Sequence, residues 1–211
     1  MKKNDTKIQI LEAAVKLFAQ RGYDAVGVAD IADAVGIKAP SLYKHYKNKR
    51  DIFESIVKRV SEMDAEKAKD HQMPDERIEV TAEKYKNISL ETIREYAKAM
   101  LLHWTSETFS GCFRKMLTLE QYQSEEMADL YQNYLSSGPV QYMADIFADV
   151  TRDAEEAYSL ALAFYGPLYL LYGIYDAKGD IDEVIGLLDA HIDRFAIVFN
   201  ARINAQKEGD T

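Results

Sequence analysis

Apolar residues recur every three or four positions along nearly all of the 211-residue chain, which is the spacing of one face of an α-helix. The sequence contains no Asn-Gly or Asp-Gly pair and no alternating run of β-branched residues, which are the patterns typical of hairpins and strands. We therefore predict an all-α fold. With 47% apolar and 29% charged residues, the chain has the composition of a globular protein that buries a core.

The reactive residue types argue against an enzyme or a metalloprotein. Cys112 is the only cysteine and the four histidines lack the spacing of metal ligands, so we expect no disulfide framework, metal or cofactor. Ser41-x-x-Lys44 and Ser55-x-x-Lys58 match a serine acyl-enzyme motif by letter, but its companion motifs are absent from the sequence. The N-terminus has no apolar signal segment, which predicts a cytoplasmic protein.

Charge is divided unevenly along the chain. Residues 1–50 contain ten basic and five acidic residues, a balance of +5, whereas the rest of the chain contains 16 basic and 30 acidic residues, a balance of −14. The net charge of −9 hides this division. A basic head on an acidic body predicts that a polyanion such as nucleic acid is bound at the head and repelled by the body.

Glycine and proline divide the basic head into short helices. Gly22 and Gly36 are suited to end helices in the left-handed conformation, and Pro40 is suited to the first turn of a helix. Asn48 and Asp51 form a short variant of the capping box, which begins a long helix. These signals predict head helices over residues 5–21, 28–35, 40–46 and 51–71.

The remaining helices form a body that follows a hinge near Pro74. Periodicity predicts body helices over residues 76–87, 89–105, 109–122, 124–135, 139–150, 153–177 and 180–203. We predict a helix-turn-helix DNA-binding domain over 1–50, joined by the helix over 51–71 to a ligand-binding and dimerisation domain over 72–205, and a polar tail over 206–211.

Two short helices joined by about four residues and supported by a flanking helix form a helix-turn-helix, whose exposed second helix can enter a DNA major groove about 12 Å wide. Lys38, Ser41, Lys44 and His45 fall on the exposed side of the turn and the third helix. Tyr46 shares a helical face with Leu42, so we predict that Tyr46 packs in the core.

Cations cluster beside this third helix. Lys47, Lys49 and Arg50 stand at the beginning of the fourth helix, where positive charge opposes the helix dipole and lowers stability, and this arrangement favours a phosphate partner. Lys44 has two interpretations, a guanine contact and a phosphate contact. We favour the phosphate contact because proteins bind the DNA backbone more often than the bases.

Gly22-Tyr23, Asp30-Ile31-Ala32 and the run from Gly36 to Lys49 resemble the DNA-binding signature of the TetR family of bacterial transcriptional regulators, over about the first sixty residues. The resemblance implies a homodimer with two recognition helices in successive major grooves, and a small molecule in the body that releases the operator. The matching DNA-facing positions are Lys38, Ala39, Pro40, Ser41, Tyr43, Lys44, His45 and Lys49. Val26-Gly27 stand where the family often has Thr or Ser, so the capping hydroxyl is missing.

The body is rich in tyrosine and other aromatic residues. At helical spacing such residues are normally core, but phenol hydroxyls among apolar rings also suit a pocket for a flat or amphipathic small molecule. The candidate ligand-binding residues are His103, Trp104, Phe113, Tyr122, Tyr131, Tyr134, Tyr142, Tyr165 and Tyr169.

Residues 157–175 form an uncharged run long enough to span a bilayer. Five tyrosines, a central Gly166-Pro167 and acidic flanks argue against a membrane segment. Together with the broad apolar stripe of the last helix, the run predicts a two-fold four-helix dimer interface, with an ordinary pair of helices within one chain as the alternative. The candidate interface residues are Leu160, Phe164, Leu168, Leu171, Val184, Leu188, His191, Ile192, Phe195 and Phe199.

These observations predict a homodimeric repressor that binds double-stranded operator DNA and is released by a small-molecule effector. Two alternatives remain open at the sequence level. One is a DNA-binding regulator whose body only dimerises or binds a protein. The other is a helical small-molecule carrier or enzyme whose basic head is incidental.

Overall fold

The computed structural model describes the backbone of residues 3–73 and 89–209, and the side chains of residues 5–73, 89–148 and 151–202. These residues form helices, turns and loops without a strand, so the all-α prediction is confirmed. The helices are α1 (Lys3–Arg21), α2 (Val28–Val35), α3 (Ala39–Leu42), α4 (Lys49–Asp70), α5 (Leu90–Thr105), α6 (Thr108–Glu120), α7 (Glu125–Leu135), α8 (Ser137–Thr151), α9 (Ala154–Lys178) and α10 (Ile181–Gly209).

The helix ends follow the capping signals in the sequence. Gly36 has a φ of +72° and Gly179 a φ of +71°, so each ends its helix in the left-handed conformation that glycine tolerates best. Asp153 begins α9 by accepting hydrogen bonds from the amides of Glu155 and Glu156 at 2.9 and 3.0 Å.

Three predicted segments either differ from the observed helices or lie outside the described residues. The helix predicted over 76–87 lies outside the described residues. The helix predicted over 40–46 is shorter, because α3 ends at Leu42 and single turns continue the chain. Helix α10 continues to Gly209, so residues 206–209, which we expected in a polar tail, are helical.

The chain divides into two compact units. Unit 1 comprises Met1–Asp64 and Glu107–Tyr131, and unit 2 comprises Ala65–Ser106 and Gln132–Thr211. Helix α6 therefore belongs with the N-terminal helices and packs against α1. The domain boundaries that we drew from the sequence stay a prediction.

Unit 1 has a continuous apolar core. Phe18, Ile31 and Leu42 are fully buried, so the first three helices share one interior. Phe53 in α4 and Phe113 in α6 are also buried. The support for α3 is therefore a packed interior, which holds the short helix in place although its own four residues are too few for an isolated helix.

Unit 2 is built around aromatic side chains from α8, α9 and α10. Phe147, Phe164, Phe195 and Phe199 are buried, and their ring centroids lie 5.1–6.0 Å apart in the contacting pairs. Helix α9 packs against both α8 and α10. Among the described residues, α9 is the one helix long and apolar enough to cross a membrane, and 33% of its most apolar stretch is buried. A single helix of this kind is weak evidence for a membrane segment, because core helices satisfy the same criteria.

Candidate nucleic-acid interface

Helix α3 is presented by a tight connection from α2. After Gly36, the amide of Ile37 donates to the carbonyl of Ala32 at 3.0 Å, which turns the chain toward Lys38. Lys38 is the N-cap of α3, and Pro40 stands in its first turn, where the missing N–H has no helical partner. Successive turns then carry the chain from Ser41 to Tyr46, with amide-to-carbonyl distances of 2.8–3.4 Å.

The predicted DNA-facing residues fall into two groups by exposure. Lys38, Pro40, Tyr43 and Lys44 are exposed. Ala39, Ser41, His45 and Lys49 are partly exposed. Since Leu42 is fully buried between them, residues 38–45, with α3 at their centre, have one face in the core and a polar, cationic face outside, as a recognition helix requires.

Tyr46 closes α3 against α1. Its side chain is 2% exposed, and its hydroxyl donates to the carbonyl of Lys7 at 3.2 Å, which confirms its predicted place in the core. Burial raises the pKa of Tyr46 to about 12, because the charged phenolate would lose its hydration there. The ammonium of Lys7 lies 5.2 Å from the ring centroid. Tyr46 thus connects the recognition region to the N-terminal helix.

Lys49 has an internal partner. Its ammonium donates to the carbonyl of Tyr23 at 2.9 Å and lies 4.2 Å from the centroid of the Tyr23 ring, which is a cation–π geometry. The Tyr23 ring in turn contacts Phe18 and Phe53. Lys49 therefore fixes the turn between α1 and α2 to the beginning of α4.

Arg50 is held by two carboxylates. Its Nη1 donates to Glu126 at 2.7 Å, its Nη2 donates to the other Glu126 oxygen, and its Nε donates to Glu54 at 2.8 Å. Hydrogen bonding with Glu126 raises the pKa of Arg50 and lowers that of Glu126. Of the three cations that we predicted for phosphate at the beginning of α4, Lys49 and Arg50 have partners within the chain, and Lys47 is exposed.

Before α2 the chain has the carboxylate half of a capping box but not the hydroxyl half. Gly27 is the N-cap, and its amide donates to the Asp30 side chain at 2.7 Å. Arg21 forms an ion pair with Asp30 at 3.2 Å and also donates to the carbonyl of Ala25 at 3.0 Å. These contacts, the Gly27 amide first, lower the pKa of Asp30. Asp30 thus fixes the chain entering α2, while no side chain of the described residues caps the first turn of this helix.

Glu120 holds the connection between α1 and α2, and the sequence analysis did not identify this role. It is 7% exposed, at the last residue of α6, and its carboxylate accepts the amide of Tyr23 at 3.0 Å. Gly22 has a φ of +83°, and a Cβ there would lie 2.7 Å from Glu120 Oε1. No local signal could reveal this contact, because the partners are 97 residues apart.

The sequence comparisons agree with this geometry. A family model described as "Bacterial regulatory proteins, tetR family" matches residues 10–56, which include α2, α3 and the beginning of α4. The HTH-type transcriptional repressor ComR of Escherichia coli strain K12 is 33% identical over 104 residues, 49% of this chain and 45% of ComR. The N-terminal helices are therefore similar in sequence to the DNA-binding region of TetR-family regulators. The matched stretch spans less than half the length of ComR.

Solved structures of other proteins share the fold over most of this chain. MexZ, a repressor responsible for antibiotic resistance in Pseudomonas aeruginosa, has a TM-score of 0.63 at 18% identity and covers 92% of this chain and 96% of its own. A SmeT–triclosan complex has a TM-score of 0.62 at 13% identity and covers 92% and 91%. The similarity of fold therefore extends beyond the helix-turn-helix to the helical body of this chain.

The candidate ligand residues are divided between the two units. Phe113 and Tyr131 are buried in unit 1, where Tyr122 is 87% exposed. The other six belong to unit 2: His103, Trp104, Tyr134, Tyr142, Tyr165 and Tyr169. Whether any of them contacts a ligand stays a prediction.

Several aromatic candidates lie close together in unit 2. The Trp104 ring centroid is 5.0 Å from that of buried His103 and 6.1 Å from that of Tyr134. Tyr142 is buried beside Tyr96 at 6.2 Å, and the hydroxyl of Tyr165 donates to the carbonyl of Leu135 at 3.1 Å. Tyr169 stands apart from these in its exposure, at 39%. Packing alone accounts for the buried rings.

The candidate dimer residues are mostly buried within one chain. Leu160 and His191 are half-buried, and His191 Nε2 lies 2.9 Å from the carbonyl of Phe164, which connects α10 to α9. The other eight are at most 6% exposed: Phe164, Leu168, Leu171, Val184, Leu188, Ile192, Phe195 and Phe199. A different row of apolar residues on α9 and α10 faces outward: Leu162, Leu170, Leu187, Ile197 and Val198.

Proposed function

We propose that this chain is a cytoplasmic DNA-binding transcriptional regulator of the TetR family that acts as a homodimer, represses by occupying an operator, and is released by a small molecule. The observation that carries the proposal is the exposed cationic surface of residues 38–45, with α3 at its centre, held on a buried core by Leu42 and Tyr46. An exposed helix with that support fits the major groove. The name of ComR as a repressor supports repression.

The contacts with DNA divide by chemistry. Lys38 and Lys44 supply exposed ammonium groups for phosphate, and Ser41 and Tyr43 supply hydroxyls for phosphate or base edges. We assign Lys44 to phosphate. Phosphate contacts give affinity and salt dependence but little sequence preference. Recognition of the bases therefore falls to the other side chains in and beside α3 that are at least partly exposed, such as Ser41 and Tyr43.

Replacing Lys44 tests this assignment. Lys44→Ala removes one cation from each head of the proposed dimer, so its affinity for duplex DNA falls. The slope of log affinity against log salt concentration becomes shallower by about 1.8, which is about 0.9 for each of two phosphate contacts. Lys58→Ala is the matched control, since Lys58 is exposed in the middle of α4 and has the same charge. Fluorescence anisotropy over a salt series measures both variants. An unchanged slope for Lys44→Ala would refute the phosphate contact.

A second copy of the chain is the proposed occupant of the outward row on α9 and α10. Leu162 and Leu170 lie eight residues apart on α9, and Leu187 and Ile197 lie ten apart on α10, so each pair stays on one helical side. Exposed Gly166 and Gly186 on the same helices would allow close approach. Two helices from each copy then form the four-helix interface predicted from the sequence.

Sedimentation of a charged variant tests the interface. Ile197 is 72% exposed, and Ile197→Asp places a charge in the proposed interface, which shifts the chain from dimer to monomer at micromolar concentration. Ile8→Asp is the matched control, because Ile8 is also exposed, at 44%, but stands in α1. A wild-type chain that sediments as a monomer, or an Ile197→Asp chain that remains a dimer, would contradict the proposal.

The effector site is proposed for the aromatic body. The support is the set of rings and hydroxyls in unit 2 and the SmeT structure, which was solved with triclosan. Release requires tighter binding to the DNA-incompetent state, and a coupling of about 1–3 kcal/mol is typical. A thermal-shift screen of flat aromatic compounds tests the site, because a ligand that binds the folded chain raises its melting temperature. A compound that does so without weakening DNA binding would favour a regulator without an inducer.

A further inference from the structure

The corner between α6 and α7 reaches the DNA-contacting end of unit 1. Glu120 ends α6, and its buried carboxylate accepts the Tyr23 amide at 3.0 Å. The amide of Gln123 donates to the carbonyl of Glu120 at 2.9 Å, and the Ser124 hydroxyl accepts the amide of Met127 at 3.2 Å. The corner is therefore a defined turn anchored beneath the α1–α2 connection, and it places Glu126 beside Arg50.

Arg50 lies near the residues that we propose to contact DNA, but its positive charge is already paired with carboxylates. It stands in the first turn of α4, three residues after exposed Lys47 and six after Lys44. Glu126 and Glu54 accept from all three of its guanidinium nitrogens. The Arg50 and Glu126 side chains are 47% and 46% exposed, so the guanidinium is accessible to a competing anion.

We propose that Glu126 is an intramolecular competitor for DNA, holding Arg50 away from a phosphate that Arg50 would otherwise contact. A guanidinium pairs in a two-pronged manner with either a carboxylate or a phosphate, so the two anions compete for the same donors. The proposal rests on the proposed DNA-binding function. It makes the position of the α6–α7 corner a determinant of affinity, because DNA gains one more cation whenever Glu126 is displaced from Arg50.

The test compares two substitutions that remove the same charge from the same corner. Glu126→Gln removes the carboxylate charge that holds the two Nη groups of Arg50 and leaves the contact of Nε with Glu54, whereas Glu125→Gln removes the charge of an exposed neighbour. We expect Glu126→Gln to bind duplex DNA about threefold to tenfold more tightly than Glu125→Gln at low salt. Its salt slope should be steeper by about 1.8, which is one additional phosphate contact from each protomer of the dimer. An exposed ion pair contributes little to stability, so both variants fold, as circular dichroism and thermal melting verify.

A second pair of variants identifies Arg50 as the released group. In an Arg50→Gln background, Glu126→Gln and Glu125→Gln must have equal affinities and equal salt slopes. The proposal is overturned if Glu126→Gln binds no more tightly than Glu125→Gln, or if its advantage persists without Arg50. If the Glu126 proposal fails in this way while the wild-type chain still binds duplex DNA with normal salt dependence, the proposed function is left intact. A wild-type chain that binds no DNA at low salt overturns both the proposed function and the Glu126 proposal.

Discussion

In the helix-turn-helix segment, apolar residues occupy one side of each helix, whereas α9 carries apolar residues on every side. Leu42 is fully buried and its neighbours Tyr43 and Lys44 are exposed, so spacing alone gives the orientation of α3. In α9, Phe164 is buried and Leu162 is 49% exposed, although both are large and apolar. Periodicity therefore identifies a face only where polar residues mark the opposite one.

The first prediction distinguishes the two apolar sides of α9. Phe164 is 2% exposed and contacts Phe147 and Phe195, so Phe164→Ala lowers the free energy of unfolding by about 3–5 kcal/mol. Leu162→Ala removes a side chain from the outward row, and its main effect falls on the dimer. Chemical denaturation at a concentration where the chain is monomeric measures the difference. Equal losses for the two variants would mean that the sides were assigned incorrectly.

The second prediction concerns two glycines of unit 1 that share a left-handed conformation. A Cβ on Gly36, with a φ of +72°, meets no atom within 4 Å, so Gly36→Ala costs only the backbone strain of about 1–2 kcal/mol. Gly22→Ala costs about 1–3 kcal/mol more, because its Cβ displaces the buried Glu120 carboxylate from the Tyr23 amide. Denaturation midpoints compare the variants. In a Glu120→Ala background the additional cost should disappear, and its persistence would contradict the contact.

The third prediction is a pH dependence within the head. Tyr46→Phe loses the hydrogen bond to Lys7, which costs about 0.5–1.5 kcal/mol at neutral pH. The folded-state pKa of about 12 exceeds the ordinary value of 10.0, so the contribution of Tyr46 is complete below pH 10 and is lost as the pH rises toward 12. Unfolding experiments from pH 8 to 12 should show the stability difference between the wild type and Tyr46→Phe shrinking. A constant difference would argue against the burial of this phenol.

Sequence reasoning succeeded where the determinants are local. Gly36, Pro40 and the Asn48–Asp51 pair placed the ends of the head helices, and the amide of Asp51 indeed donates to Asn48 at 2.8 Å. Asp153 and Gly179 mark the ends of α9 in the same way. Such signals act over a few residues, so they can be read without knowing the packing.

Contacts between distant segments could not be predicted from the sequence. The cations Lys49 and Arg50 were assigned to phosphate because they oppose the dipole at the beginning of α4, but their nearest partners come from the α1–α2 turn and from α7. Glu120 gave no signal at all, since its role depends on α6 packing against α1. An excess of charge predicts a binding surface correctly only after the internal ion pairs have been subtracted.

The central claim is that two copies of the α3 surface read one duplex together. Selection of binding sites from a random pool of double-stranded DNA by the full chain tests it directly. The account predicts enrichment of a two-fold symmetric site whose half-sites lie about 34–36 Å, or one helical turn, apart. A pool that remains random after repeated selection at low salt, or one enriched in a single asymmetric half-site, would contradict it.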